Sequence, residues 1–277
     1  MKKINFFYRN VIKMEIFKTG RMWDLAIFIV FFALTVYYLD RASKGKPLPK
    51  IRSIAALEAI REGVGRGVEI RKPVHYSFGP TGAVVSGADV SQTVASLGIL
   101  QYTAGLCARL GARLIFHLPN QPFAIPLLEG AVDEAYLQEG RTEAFDKQRD
   151  LRFYGTGSMV FASAMASSFM DDGVALNILV GRQTTIIYPA LEAAKIQGAI
   201  NIGGTARWTA MYIFALTCDY IFIGEEIYAA GAKVTDNPYM TASIAAEENM
   251  KYIFLAILIL GLILTAVGLD IPALFKI

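Results

Sequence analysis

The sequence predicts an α/β protein: a Rossmann-like, mostly parallel sheet with helices on both faces, flanked by one N-terminal and one C-terminal transmembrane helix. Three observations predict it. Two apolar runs of about 18 residues stand toward the two ends of the chain. Between them, short β-branched runs alternate with helical patterns about five times over residues 68–224, the pattern of a parallel sheet covered on both sides. A third apolar run, Trp208 to Gly224, contains Asp219 and breaks into helix-like and strand-like pieces. It reads as the inside of a domain, not as a third span.

Composition narrows the class. The chain has 277 residues, 54% of them hydrophobic and 18% charged, more apolar than an ordinary soluble domain. A net charge of +3 is too small to indicate nucleic acid, and no nucleic-acid partner is expected. Cys107 and Cys218 each sit in an apolar helical pattern far from the other, so neither a disulfide framework nor a cysteine metal site is expected.

Residues 1–21 form a basic leader carrying Lys2, Lys3, Arg9, Lys13, Lys18 and Arg21. Residues 22–39 follow as a span, with Trp23 at one end and Tyr37 and Tyr38 at the other, where aromatic rings favour the lipid–water interface. Residues 40–67 read as a basic linker and an amphipathic helix. Ile51, Ile54, Leu57, Ile60 and Val64 share one helical face, which either packs on the domain or lies on lipid. Residues 68–250 are the Rossmann-like domain. Asp89 is a plausible cap and Gly111 a stop for its first helix, and Thr205 a plausible N-cap for the helix that opens the third apolar run. Residues 252–269 form the second span and 270–277 a short tail. Basic residues flank the first span on both sides, so the positive-inside rule does not choose an orientation. Met14 and Met22 are alternative starts that would remove much of the leader charge. With two cysteines and no disulfide pattern, this places the domain on the cytoplasmic side of an inner membrane.

In a doubly wound sheet, ligands bind outside the C-terminal ends of the strands. Reading those ends nominates two glycine-rich turns. Gly155, Thr156 and Gly157 follow one strand, and Gly203, Gly204, Thr205 and Arg207 follow another. Backbone amides there would face an anion, with Arg182 or Arg207 as counter-charge. Neither turn completes a dinucleotide fingerprint or a Walker loop, and tight strand-to-helix turns also use glycine for steric reasons. His75 and His117, the two histidines of the chain, end strands expected to be neighbours. They are candidates for proton transfer, with Glu225 a third candidate at the last strand. No H-x-x-x-H or H-E-x-x-H spacing exists, and no metal site is expected.

At "IRSIAALEAIREGVGRGVEIRKPVHY" and at "NIGGTARWTAMYIFALTCDYIFIGEEIYAAGAKVTDNP" the chain resembles an uncharacterised family of bacterial and archaeal membrane proteins. That family is a domain of unknown function with terminal spans. The resemblance covers most of residues 40–270, is most specific at "GEEIYAAGA", and implies the same architecture. It implies no reaction, cofactor or catalytic residue.

The functional expectation is therefore a membrane-anchored binding or scaffold module. It would be a subunit of a homo-oligomer or of a larger membrane complex, meeting the lipid bilayer and a small anionic ligand. An enzyme acting on a phosphate- or nucleotide-containing substrate is the alternative.

Overall fold

The structure, a computed structural model, describes residues 22–79, 90–118, 124–154 and 157–267. In chain order the elements are α1 (Met22–Ser43), α2 (Ala55–Ile70), β1 (Val74–Ser77), α3 (Val90–Leu110), β2 (Leu114–Leu118), α4 (Ala124–Gln138) and α5 (Lys147–Asp150). Then come β3 (Leu151–Phe153), α6 (Ser158–Asp172), β4 (Leu176–Val180), α7 (Tyr188–Ile196), β5 (Ile200–Thr205), α8 (Trp208–Thr217), β6 (Tyr220–Ile223), α9 (Glu226–Thr235) and α10 (Pro238–Ala266). The chain forms two compact units: Lys50–Asn237, and a second that brings together α1 and α10.

The larger unit is built on one sheet of six strands in the order β3-β2-β1-β4-β5-β6. Every neighbouring pair is parallel. This is the doubly wound Rossmann-like architecture, and the strand order reverses between β1 and β4. α2, α3, α4 and α9 cover one face, over a core that includes Val74, Tyr76, Phe116 and Ile178. α6, α7 and α8 cover the other, around Phe161, Met165, Phe169 and Phe214. The strands are continuous apolar runs because both faces are roofed by helices.

α2 resolves one alternative left by the sequence. Its apolar face, with Leu57, Ile60 and Val64, is buried against the domain. Gly63 and Gly67 let the helix backbone approach Leu176 and Val74 closely.

The third apolar run becomes α8 and β6, in the predicted helix–strand order. Two details differ. Thr205 is the last residue of β5, and Arg207 is the N-cap. The apolar run is also only partly interior: Ala210, Phe214 and Thr217 are buried, whereas Trp208, Tyr212 and Leu216 point outward. α8 packs mainly on β5 and meets the sheet along a single stripe, and a helix with so few polar residues has little but apolar side chains to expose.

In the second unit α1 and α10 are helices long and apolar enough to cross a membrane, with window mean hydropathies of 1.7 and 2.0. Only 6% of either window is buried. α10 starts at Pro238, after Asp236 has taken the left-handed conformation. Its first half carries Glu247, Glu248, Asn249 and Lys251, and it has no charged residue from Tyr252 on. Ala242, Ala245, Ala246 and Met250 are its buried residues, and Asn249 Nδ2 donates to the Tyr38 hydroxyl of α1 at 2.8 Å. The leader and residues 268–277 lie outside the described residues.

Candidate functional site

The C-terminal ends of β1 and β4 cross at close quarters. Gly79 after β1 has φ +112°, and a Cβ there would stand 2.3 Å from the Arg182 carbonyl oxygen. Gly181 after β4 has φ +131°, and its Cβ would meet the Phe78 carbonyl oxygen at 2.9 Å. Two backbones pass where no side chain fits, so glycine is required at both positions. Gln183 fastens the crossing: its Nε2 donates to the Ser77 carbonyl at 3.2 Å. Ser77 Oγ donates to the His117 carbonyl at 3.0 Å and accepts from Gly79 N at 3.3 Å.

The first turn of α3 borders the same end of the sheet. Gln92 Oε1 accepts from Ala206 N at 2.9 Å and from Thr205 Oγ1 at 3.3 Å. Ser96 lies beside Gly181, and its Oγ donates to the Thr93 carbonyl at 2.8 Å. Tyr76 donates its hydroxyl to the Ser96 carbonyl at 2.7 Å. Three side-chain oxygens in this region are buried without a hydrogen-bond partner: Thr93 Oγ1, Gln183 Oε1 and Thr184 Oγ1. A buried polar atom with no partner carries a desolvation penalty, which sets these three oxygens apart from the satisfied groups around them. Arg182 and Arg207, both half-buried, flank this region from the ends of β4 and β5.

The glycine turns fare differently. Gly155 and Thr156 lie outside the described residues, as does Asp89. Gly157 is the N-cap of α6. Gly203 and Gly204 are not a turn at all: they lie within β5, paired with Leu179 and Val180. A Cβ on Gly203 would sit 2.7 Å from the Phe214 ring, and one on Gly204 would sit 3.0 Å from the Phe222 ring. These glycines admit aromatic rings to the two faces of the sheet. Thr205 turns back on its own loop, its Oγ1 accepting from Arg207 N at 3.2 Å.

His75 and His117 do meet, with ring centroids 4.6 Å apart. Their meeting place is the sheet interior, not a strand-end crevice: both are fully buried within β1 and β2. Glu225 is exposed at the start of α9. Its neighbour strand β6 lies three strand spacings from β1, roughly 14 Å, so it does not join the histidines.

The histidines belong to a polar line that crosses five strands. Arg152 donates to Ser168 Oγ at 2.6 Å and is ion-paired with Asp172. Ser168 Oγ lies 3.1 Å from His117 Nε2, and His75 Nδ1 lies 2.7 Å from Asn177 Oδ1. Asn177 Nδ2 donates to Asn201 Oδ1 at 2.8 Å, and Asn201 Nδ2 donates to the Leu191 carbonyl at 3.2 Å. These bonds set the tautomers. Asn177 uses its amide hydrogens on Asn201, so its oxygen accepts the Nδ1–H of His75, and His75 Nε2 is left bare. Ser168 accepts from Arg152 and so donates to His117 Nε2, which leaves the proton of His117 on Nδ1. These two remaining atoms, a donor on His117 and an acceptor on His75, are without a partner.

Burial holds both rings neutral. It pushes the His75 pKa down to about 3, with the Asn177 hydrogen bond opposing and Arg152 assisting. It pushes His117 down as well, helped by His75 and then Arg152. Both neutral rings lie against Phe169 of α6. They serve as a hydrogen-bonded spine. Asn177, Asn201 and Arg152 were not nominated from the sequence. The signal was one polar residue inside each of five apolar strands, but their alignment depends on register.

Among the described residues no group of three or more histidine, cysteine, aspartate or glutamate side chains could hold a metal ion. Cys107 is buried and Cys218 half-buried, both as free thiols. Compared with known families, residues 12–275 match the one described as a domain of unknown function, DUF6754. No curated protein and no solved structure matches the chain.

Proposed function

Because the chain belongs to the DUF6754 family, whose description assigns no activity, we propose a function from the geometry: a membrane-tethered binding module. Its Rossmann-like domain takes a small polar, anionic ligand at the crossing of β1 and β4. One observation carries this reading. Gln183 Oε1, Thr93 Oγ1 and Thr184 Oγ1 lie buried and unpartnered at the switch point, where open α/β sheets bind ligands. The oxygen of Gln183 requires a donor, which a ligand hydroxyl supplies. The threonine hydroxyls have protons to give to an anionic oxygen, and Arg182 and Arg207 contribute positive charge at the rim. A phosphorylated sugar or a nucleotide combines these groups. The paired helices α1 and α10, apolar and exposed, tether the module to a bilayer. In this reading the domain faces the cytoplasm, where Cys107 and Cys218 stay reduced.

The test uses the full chain in lipid nanodiscs. Thermal unfolding is followed with inorganic phosphate, sugar phosphates and nucleotides, and the denatured protein is searched by mass spectrometry for a co-purified small molecule. A stabilising shift that Gln183→Met and Arg182→Ala both reduce is expected. A folded wild type that shifts with none of these and carries no small molecule overturns the reading.

A further inference from the structure

We propose that the outer face of α6, α7 and α8 is the interface between two copies of this chain. The proposal does not rest on the ligand reading, because it concerns a different surface.

The three helices form one layer: α6 packs on α7, and α7 on α8. Each presents large apolar side chains outward. They are Met159 on α6, Tyr188 and Ile196 on α7, and Trp208, Tyr212 and Leu216 on α8. Trp208 and Leu216 are each 78% exposed. The spacing of Trp208, Tyr212 and Leu216 is i, i+4, i+8, so they form a single ridge along α8. With full side-chain areas of ordinary size, the six residues expose on the order of 850 Å². A monomer's largest apolar patch is typically 300–600 Å², and a stable interface takes ~800 Å² from each partner. One layer of one chain therefore supplies the area that a dimer needs.

The charge of the layer selects the occupant. α8 has no charged residue, α7 has Glu192 and Lys195, and α6 has only Asp171 and Asp172 at its end. With Asp172 ion-paired to Arg152 and Arg207 at the N-cap of α8, the layer is sparse in charge and close to neutral, unlike the helices rich in lysine and arginine that an anionic lipid surface draws in. Exposed Trp, Tyr and Met with few charges is instead the composition of the centre of a protein interface. Identical copies present identical, nearly uncharged patches, and two-fold pairing of like patches is the commonest form of assembly.

The experiment uses the full chain in detergent, with mass measured across a dilution series. Wild type is expected to be a dimer, and so is a control carrying Leu137→Lys, an exposed residue of α4 on the opposite layer. The double variant Trp208→Ser, Leu216→Lys is expected to associate at least ~30-fold more weakly. A monomeric wild type overturns the proposal, and so does a double variant that dimerises like wild type. If the double variant does not fold, Tyr212→Cys and Ile196→Cys are cross-linked singly with a short bismaleimide in a Cys218→Ser background. A cross-linked pair of copies supports the interface, and its absence from both overturns it. In nanodiscs, with Trp23→Phe, quenching of Trp208 emission by brominated lipid would assign the face to the bilayer and also overturn the proposal.

Discussion

The two faces of the sheet are built in opposite ways. Toward α2, α3, α4 and α9 the strands point Val74, Tyr76, Leu114, Phe116, Leu176, Ile178 and Phe222, all apolar. The outer surface of that layer is charged and ion-paired, through Arg109 with Glu139, Lys147 with Asp133 and Arg52 with Glu226. Toward α6, α7 and α8 the strands point Arg152, His117, His75, Asn177 and Asn201, while the outer surface is nearly free of charge. One layer is apolar inside and polar outside. The other has its polarity in the middle and its apolar ridge outside. The first is held by packing, which tolerates adjustment. The second is held by a directional chain of hydrogen bonds, in which each group needs its own neighbour. Both faces share one register, and a slip of one residue would strand every member of the line while turning the apolar set of the other face into its place.

The sharpest break in this comparison is Asn177→Leu. It leaves His75 Nδ1 and Asn201 Oδ1 unpaired in the core and should lower stability by about 3–4 kcal/mol, measured by chemical denaturation of the full chain in detergent. The matching change on the other face, Ile178→Val, should cost only about 1 kcal/mol. Equal losses would show that the polar line is not special.

Mild acid acts through the two histidines, and both lie on one face. An unfolded histidine takes up a proton near pH 6.5, whereas folded His75 stays neutral until pH about 3. Below pH 6.5 the unfolded state binds more protons, so the stabilisation, complete above that pH, falls progressively as the pH drops toward 3. By pH 5 His75 alone should account for about 2 kcal/mol, and His117 should add to the loss in the same direction. In His75→Gln the pH slope of stability between 6.5 and 5 should shrink; an unchanged slope would contradict the assignment of a neutral buried ring.

Gly203→Ala tests a smaller feature. Its methyl would meet Phe214 at 2.7 Å, and overpacking of this kind costs about 1–3 kcal/mol, visible as a lowered melting temperature. The smallest effect belongs to Arg52→Gln. Its partner Glu226 is reached from a side chain 75% exposed, so the loss should stay below about 0.5 kcal/mol. A larger loss would mean that the charged layer is held by more than packing.

Much of this architecture is written locally. The alternation of strands such as "LIFHLP" and "VALNILVG" with helical patterns is visible without coordinates, and so is the punctuation by Gly111 and Gly224, both at positive φ in the structure. The two histidines could be placed on neighbouring strands but not inside the sheet, because strand length and register decide whether a residue caps a strand or is buried within it. "IGGTAR" looked like a phosphate turn because glycine pairs serve both purposes. Only the positions of Phe214 and Phe222 show that here they make room for rings. Gln92, Thr93 and Gln183 carried no signal of their own. They matter through the meeting of α3 with the ends of β4 and β5, segments that are far apart along the chain.

Hydropathy period alone determined the class of this protein: which runs form strands, which form helices, and which two helices are long and apolar enough for a bilayer. Those are properties of neighbours in sequence, expressed through backbone geometry and the partition of side chains between water and apolar surroundings. The tertiary structure decided what no window of sequence contains: the line from Arg152 to Asn201, the backbone crossing at Gly79 and Gly181, and the outward ridge on α8. Each depends on which strand lies beside which. That order is settled by how two layers of helices share a single sheet, a condition satisfied only by the whole chain at once.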